Sequence, residues 1–285
     1  MQIFLIGLLS SLLAIVSSGQ ADQACDQTTM SGSKSEILTF ATTDELSRSV
    51  GKHVAQVAQA AKGKDKFLIA LSGGSLPKLL AQGLLEYAND IEFSKWHVFF
   101  ADERYVAHNH ADSNLLACDN EFLSKIEGFS DGFKAENIHP IDISVPLEQS
   151  AERYQETLQK VAGVTGTEVP RFDLILLGMG PDGHTCSLFP GHPLLKVTDK
   201  FVAPISDSPK PPPQRITLTY PVLDNAANVF FLAAGKSKED VIPRTAGLTA
   251  EQVKELGDDA LPAARVRPTN GKLIWFIDTP AAGKL

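Results

Sequence analysis

Residues 178–192 contain the side chains best suited to chemistry. The apolar run 172–177 just before them is typical of a buried strand. The strand ends in glycines, and Asp182 and His184 follow at once. A neutral imidazole accepts a proton near pH 7, and a neighbouring carboxylate can orient it. The stretch therefore indicates a general base, with a polar turn carrying an exposed histidine as the alternative.

Two more strand ends carry polar groups. The strand Phe67–Leu71 leads into Ser72-Gly73-Gly74-Ser75, and the strand Trp96–Ala101 leads into Asp102-Glu103-Arg104. Because the ends of parallel strands meet at one edge of a sheet, these groups are predicted to converge with Asp182 and His184. The Ser-Gly-Gly-Ser loop before a helix resembles a phosphate cradle, since backbone N–H groups and a helix amino terminus favour an anion. Gly-Gly also marks simple turns, so the loop alone does not decide.

The elements that position these groups alternate between strands and helices. This order predicts a single-domain, three-layer α/β/α fold with a mostly parallel, doubly wound, Rossmann-like sheet. A capping box at Thr42 and Glu45 predicts the start of the first helix, and Pro77 suits the first turn of the next. Further helices are predicted at 114–125 and 147–161, and later strands at Phe201–Ile205, Arg215–Thr219, Val229–Ala233 and Leu273–Ile277.

Length and charge limit the classes of function. The chain has 285 residues, 43% of them hydrophobic, which suits one large α/β domain. Its net charge of −8 argues against nucleic acid as a partner. Its three cysteines, Cys25, Cys118 and Cys186, form no Cys-x-x-Cys pair, so neither a zinc site nor a disulfide framework is predicted. We interpret Cys186 as a small buried loop residue and not as a nucleophile.

Several motifs together resemble the 6-phosphogluconolactonase family within the glucosamine/galactosamine-6-phosphate isomerase superfamily. They occur in the family's order over roughly residues 37–282: Leu71–Ser75, Asp102-Glu103-Arg104, Gly180–Thr185, Arg215–Thr219, Leu261–Ala264 and Trp275–Asp278. The segment Val202–Arg215 is similar to the animal form. Several bacterial members carry Thr-Pro where this chain has Leu76-Pro77, a departure that leaves the loop intact.

The resemblance implies hydrolysis of 6-phospho-D-glucono-1,5-lactone to 6-phospho-D-gluconate in the oxidative pentose phosphate pathway. His184 is then the base that activates water, and Asp182 orients it or structures the loop. Ser72 to Ser75, Asp102 and Arg104 are expected to bind substrate, with Arg104 alternatively pairing with Asp102 and Glu103 facing solvent. The resemblance also favours Arg215 and Lys236 as phosphate ligands; without it, both would be read as solvated strand-end charges.

Two other functions are considered. Glucosamine-6-phosphate deaminases share the fold and an Asp-Gly-His loop, but they usually follow it with a Phe-Asn-Glu-Pro segment that supplies a carboxylate. Here the stretch is Ser187-Leu188-Phe189-Pro190, which has no acid. A noncatalytic sugar-phosphate binder is the second alternative, and the intact Asp182–His184 pair argues against it.

The first residues conflict with the rest of the chain. The apolar run Ile3–Val16 and the small residues after it resemble a secretory signal peptide, whereas Met30 opens a stretch typical of a cytosolic start. Residues 1–21 are therefore a signal peptide or an untranslated upstream segment, 22–36 a flexible lead-in, and 37–285 the domain. Cytoplasmic location is expected, with the endoplasmic reticulum lumen or secretion as the alternative.

The expected partner is a small sugar-phosphate lactone. No cofactor or metal is expected, and no nucleic acid or stable membrane association of the mature domain. The resemblance also suggests functional coupling to glucose-6-phosphate dehydrogenase.

Overall fold

The computed structural model describes residues 35–126 and 132–285. The predicted segment 1–21 and most of the predicted lead-in 22–36 lie outside these residues, so the expectations for them stay predictions. Glu36, at the end of that lead-in, is the first residue of a strand. This strand was not predicted from the sequence.

Strands and helices alternate through most of the described chain. The strands are β1 (Glu36–Phe40), β2 (Phe67–Leu71), β3 (Trp96–Phe100), β4 (Asp102–Arg104), β5 (Leu174–Gly178), β6 (Val202–Ile205), β7 (Arg215–Leu218), β8 (Asn228–Ala233) and β9 (Lys272–Asp278). The α-helices are α1 (Thr43–Ala60), α2 (Leu76–Leu84), α3 (Asn114–Cys118), α4 (Ser124–Ile126), α5 (Leu147–Ala162), α6 (Tyr220–Asn225), α7 (Ala250–Leu256), α8 (Pro262–Arg265) and α9 (Thr279–Ala282).

Six strands form the central parallel sheet, in the order β1-β9-β8-β5-β2-β3. Helices α1 and α2 contribute apolar side chains to the core on one face, and α5 contributes them to the core on the other. The predicted three-layer arrangement with a mostly parallel sheet is therefore confirmed.

The central strand β2 shows why the chain folds this way. All five of its residues are buried. Leu68 and Ala70 join one core cluster, whereas Phe67, Ile69 and Leu71 join the other. Successive side chains of a strand point to opposite faces, so a strand covered on both sides must be apolar throughout. Its polar residues are left to the loop that follows, beginning at Ser72.

The strands predicted at 201–205 and 215–219 are present but lie outside the parallel sheet. These segments form β6 and β7 of a separate antiparallel sheet, in the order β4-β7-β6. The physical reason is the connection, because a loop without a helix joins β6 to β7, and parallel neighbours need a longer crossover. The small sheet is fastened to the large one at Ala101, whose N–H donates to Leu71 O at 2.9 Å and whose carbonyl accepts from Leu218 N at 2.8 Å.

Helix ends follow the sequence signals in most places. The capping box is formed, with Thr42 and Glu45 each accepting from the other's backbone N–H, and Pro77 lies in the first turn of α2. The helix predicted at 114–125 is instead broken by a π-helical segment, Asp119–Leu123, between α3 and α4. None of the helices in the described ranges is long and apolar enough to span a membrane.

Candidate active site

His184 and Asp182 lie in the loop that follows β5. The loop turns back on itself, with Gly180 N–H donating to His184 O at 2.9 Å and Gly183 at a φ of +79°. Asp182 Oδ1 lies 2.5 Å from His184 Nδ1. An ionised carboxylate can only accept, so Nδ1 carries the proton and Nε2 keeps its lone pair. The pair therefore has the tautomer that a general base needs.

The surroundings keep the imidazole neutral. The ring of His184 stacks on Phe189 with 4.8 Å between centroids, and 18% of its side chain is exposed. Burial lowers the pKa of His184, although Asp182 opposes this effect. Burial would raise the pKa of Asp182, but the hydrogen bonds and charges of His184 and Lys210 outweigh it and lower that pKa to about 2. A neutral imidazole beside an ionised carboxylate results.

Lys210 is a third member of this group that the sequence analysis did not identify. Its Nζ lies 3.0 Å from Asp182 Oδ1 and 3.1 Å from His184 Nδ1. It belongs to residues 208–213, here called the proline strap, which runs between β6 and β7. The strap is rich in prolines, and no spacing rule links a lysine there to a loop 26 residues away.

Arg215 fastens the proline strap to the small sheet. Only 3% of Arg215 is exposed. Its Nε donates to Pro212 O at 3.0 Å, and its Nη2 donates to Lys210 O at 3.0 Å and to Pro211 O at 3.1 Å. Its guanidinium also lies over the ring of Phe189, 5.7 Å from the centroid. The expected contact of Arg215 with phosphate stays a prediction, but most of its N–H groups already have protein partners.

Asp102 lies beneath the site. It is 5% exposed, accepts from Ser187 Oγ at 2.7 Å, and lies 3.8 Å from Arg215 Nη1. Asn114 Nδ2 donates to Asp102 O at 2.8 Å. The carboxylate therefore pairs with Arg215, whereas Arg104 donates to Asp112 O at 2.7 Å.

The Ser72–Ser75 loop follows β2 and precedes α2, as predicted. The Ser72 hydroxyl oxygen is buried and has no hydrogen-bond partner among the described residues. Ser75 is exposed at the N-cap of α2, and its side chain makes no capping hydrogen bond. Buried hydroxyls are normally paired, so Ser72 and the uncapped helix end are suited to a ligand with several acceptor oxygens.

Glu103 does not face solvent, and that expectation is wrong. It is 2% exposed, and its carboxylate accepts from the N–H groups of Arg104, Asn114 and Leu115 at 2.7, 2.8 and 2.8 Å. Burial raises the pKa of Glu103, while these hydrogen bonds oppose the rise. A carboxylate is favoured at a helix amino terminus, so Glu103 anchors α3 against β4.

Two lysines, Lys236 and Lys238, follow β8. Lys236 is exposed, whereas Lys238 is half-buried. Burial lowers the pKa of Lys238, and the charges of Lys210 and Asp182 also act on it, Lys210 lowering that pKa and Asp182 raising it. Both lysines belong to a short 3₁₀ turn, where a two-residue change alters the direction of a side chain. Lys238 is therefore a second candidate cation in this turn, and the expected contact of Lys236 with phosphate stays a prediction.

Cys186 is a buried loop residue, as expected. It is 6% exposed, and burial raises the pKa of its thiol well above the ordinary value. Because the thiolate is the nucleophile, this environment does not activate it. Within residues 35–126 and 132–285, no group of three or more His, Cys, Asp or Glu side chains could hold a metal ion.

Comparisons with known proteins give consistent results. Residues 41–275 match the family model described as glucosamine-6-phosphate isomerases/6-phosphogluconolactonase. The 6-phosphogluconolactonase of Rattus norvegicus is 43% identical over 251 residues, which cover 86% of this chain and 92% of the rat protein. The human 6-phosphogluconolactonase is 41% identical over the same coverage of 86% and 92%.

Solved structures with the same fold include enzymes of two kinds. The 6-phosphogluconolactonase of Trypanosoma brucei superposes with a TM-score of 0.71 at 28% identity, covering 88% of this chain and 99% of that one. A monomeric glucosamine-6-phosphate deaminase superposes with a TM-score of 0.67 at 19% identity, covering 88% and 100%. The likeness to the deaminase shows the fold alone.

Proposed function

Because this chain belongs to the family of glucosamine-6-phosphate isomerases and 6-phosphogluconolactonases, we propose that it hydrolyses 6-phospho-D-glucono-1,5-lactone to 6-phospho-D-gluconate. The observation that carries the proposal is the pair formed by His184 and Asp182, with 2.5 Å between Nδ1 and Oδ1. A lactone is an activated acyl group, so a correctly held general base provides most of the help that water needs.

In the proposed mechanism His184 acts twice. Its Nε2 removes a proton from a water molecule, whose oxygen attacks the lactone carbonyl carbon. The tetrahedral intermediate then collapses, the bond from carbon to the ring oxygen breaks, and the imidazolium returns the proton to that oxygen. Asp182 holds the ring through Nδ1–H and stabilises the transient imidazolium. The products are one carboxylic acid and one hydroxyl, which accounts for the water consumed.

Two sets of donors could stabilise the oxyanion. The first set is the backbone N–H groups of the loop after β5, and the second is the guanidinium of Arg104. The buried Nε of Arg104 has no hydrogen-bond partner in the described part of the chain. A preorganised donor of this kind is what the developing negative charge requires.

The phosphate is proposed to lie at the Ser72–Ser75 loop. The unpartnered Ser72 hydroxyl and the amino terminus of α2 supply donors there. Lys238 supplies a positive charge on the Asp182 side of the site. Lys236 and Arg215, expected from the sequence as phosphate ligands, remain proposals that substitution can test.

This chain lacks a carboxylate that the deaminase alternative would need. In the stretch that follows the Asp-Gly-His loop, the aromatic ring of Phe189 packs on His184 where this alternative would need a carboxylate for ring opening. No observation favours the alternative of a noncatalytic binder over catalysis, because the His184–Asp182 geometry is intact.

Three measurements separate the three functions. The purified protein is mixed with freshly made 6-phosphogluconolactone, and product is measured through NADPH formed by 6-phosphogluconate dehydrogenase, with spontaneous hydrolysis subtracted. Hydrolysis that His184→Ala abolishes supports the proposal. Release of ammonia from glucosamine 6-phosphate would establish the deaminase instead, and binding of either sugar phosphate without turnover would establish a noncatalytic binder.

The cellular setting is proposed on chemical grounds. The lactone arises by oxidation of glucose 6-phosphate, so functional coupling to glucose-6-phosphate dehydrogenase is expected. We propose a cytoplasmic location, because translation from Met30 would omit the apolar run Ile3–Val16 and keep the whole of the family match over residues 41–275. Mass spectrometry of the native amino terminus tests this: a terminus just after residues 17–21 would instead indicate signal cleavage and a luminal or secreted enzyme.

A further inference from the structure

The contacts of Lys210 distinguish it from an ordinary surface lysine. Its ammonium nitrogen lies 3.0 Å from Asp182 Oδ1 and 3.1 Å from His184 Nδ1, the two atoms that join the proposed catalytic pair. Since Nδ1–H donates to Asp182, Lys210 donates to the same carboxylate oxygen and places its charge beside the ring. A flexible lysine side chain loses rotamer entropy when it is fixed in this way, so its backbone must be well placed.

The backbone of Lys210 is fixed from two sides. Inside the proline strap, Ser208 Oγ donates to Lys210 O at 2.9 Å, and Ser208 N donates to Pro213 O at 3.1 Å. Beneath the strap, Arg215 donates to the carbonyls of three consecutive residues beginning with Lys210. A planar guanidinium presents several donors in a rigid fork, which suits it to hold a run of carbonyls.

We propose that Lys210 is a positioning residue for the His184–Asp182 pair, and that Arg215 acts on catalysis by holding the proline strap that carries Lys210. This inference rests on the proposed function. It gives Arg215 a role different from phosphate binding. The N–H groups that a phosphate would need already donate to carbonyls of the proline strap.

Three charged groups act on His184. Asp182 and Asp102 favour the imidazolium, and Lys210 disfavours it. Lys210 is itself faced by Lys238. By attracting the Asp182 carboxylate and repelling a positive ring, Lys210 keeps the imidazole oriented and neutral to a lower pH. Removing its charge should therefore raise the pKa of His184.

The test compares Lys210→Met, Lys210→Arg and the control Lys200→Met, which removes an exposed lysine beside β6. The pKa of His184 is measured by NMR titration of the ring without substrate, and kcat is measured against pH. We expect Lys210→Met to raise the His184 pKa and move the acidic limb of kcat to higher pH. Lys210→Arg should move it less, and Lys200→Met should leave it in place. An unmoved pKa and limb in Lys210→Met would overturn the proposal.

A second pair of variants tests the strap. Arg215→Lys retains a charge but cannot hold three carbonyls, and Ser208→Ala loosens the strap without touching Arg215. Both should shift the His184 pKa in the direction of Lys210→Met, and combining Arg215→Lys with Lys210→Met should add little further shift. If Arg215→Lys does not fold, Ser208→Ala alone tests whether the proline strap positions Lys210.

The substrates separate positioning from phosphate binding. A loosened strap should lower kcat for the phosphorylated lactone and for unphosphorylated gluconolactone alike. A rise in KM confined to the phosphorylated lactone, with the titration of His184 unchanged, would assign these residues to phosphate and overturn the proposal. The NMR arm needs no turnover, so it gives its result even if the proposed reaction itself is absent.

Discussion

Gly180 and His184 are in contact at a position where no side chain fits. A Cβ built on Gly180 would lie 2.0 Å from His184 Nδ1 and 2.5 Å from Asp182 Oδ1. These are the two atoms of the proposed catalytic hydrogen bond. The hydrogen bond between His184 and Asp182 therefore requires glycine at position 180, because only a residue without a side chain leaves room for both groups.

A methyl group at this position should separate the pair. We expect Gly180→Ala to lower kcat about 100-fold, because a displacement of about 1 Å can cost that much in a positioned catalytic group. The matched control is Gly178→Ala, two residues earlier, where an added Cβ meets nothing within 4 Å. Steady-state kinetics and circular dichroism of both variants check this. Similar activity in the two alanine variants would contradict it.

His184→Ala should remove the base. We expect kcat to fall roughly 100- to 10,000-fold, the usual contribution of general acid–base catalysis, while substrate still binds. The matched control is His192→Ala, which removes a second histidine paired with a carboxylate, since His192 lies 3.1 Å from Asp207. Turnover is followed in the coupled assay and binding by calorimetry with 6-phosphogluconate. Wild-type turnover in folded His184→Ala would exclude this residue as the base.

The reaction should depend on pH through His184. Only the neutral ring accepts a proton, so kcat should fall as pH decreases through the pKa of His184 and be constant at neutral pH. Burial lowers that pKa below the ordinary 6.5, so the limb should lie on the acidic side of 6.5. Initial rates between pH 4.5 and 8, corrected for spontaneous hydrolysis, measure the limb. A midpoint above 6.5 would be inconsistent with this environment.

Glu103→Gln should destabilise the fold. Both carboxylate oxygens accept N–H groups, and an amide NH₂ in place of one of them would face a donor. We expect a loss of about 1–3 kcal/mol in the free energy of unfolding, typical of a buried unsatisfied donor. Urea denaturation measures it, with Glu255→Gln on exposed α7 as the control. Equal stability of the two variants would contradict this prediction.

Much of the fold could be predicted from local signals, because each signal depends on residues within one helix or strand. The capping box at Thr42, Pro77 in α2 and the apolar run of β2 each reflect the chemistry of a few adjacent residues. The family resemblance read from the motifs is confirmed by the match over residues 41–275. Strand β1 was missed because it lies at an edge, and three of its five residues are half-buried and two exposed, so its sequence lacks a continuous apolar run.

Only the part of the site that lies in a single loop could be predicted from the sequence. The spacing of Asp182 and His184 within one loop predicted that the two side chains lie together, and they are 2.5 Å apart. Lys210 reaches them from the connection between β6 and β7, and Asn114 reaches Asp102 from α3, so these contacts depend on tertiary packing. Glu103 was misplaced for the same reason, since only the position of α3 shows that its carboxylate is capped by N–H groups.

The pairing of β1 with β9 has a consequence for biosynthesis. Ile37 lies opposite Trp275, so the first described strand pairs with the last described strand. A ribosome releases the chain from its amino terminus, so β1 cannot join the sheet until β9 has been synthesised. Such distant contacts slow folding. Until β9 is synthesised, the edge of β8 that pairs with β9 is uncovered. The pairing of β1 with β9 should therefore be a late step in folding.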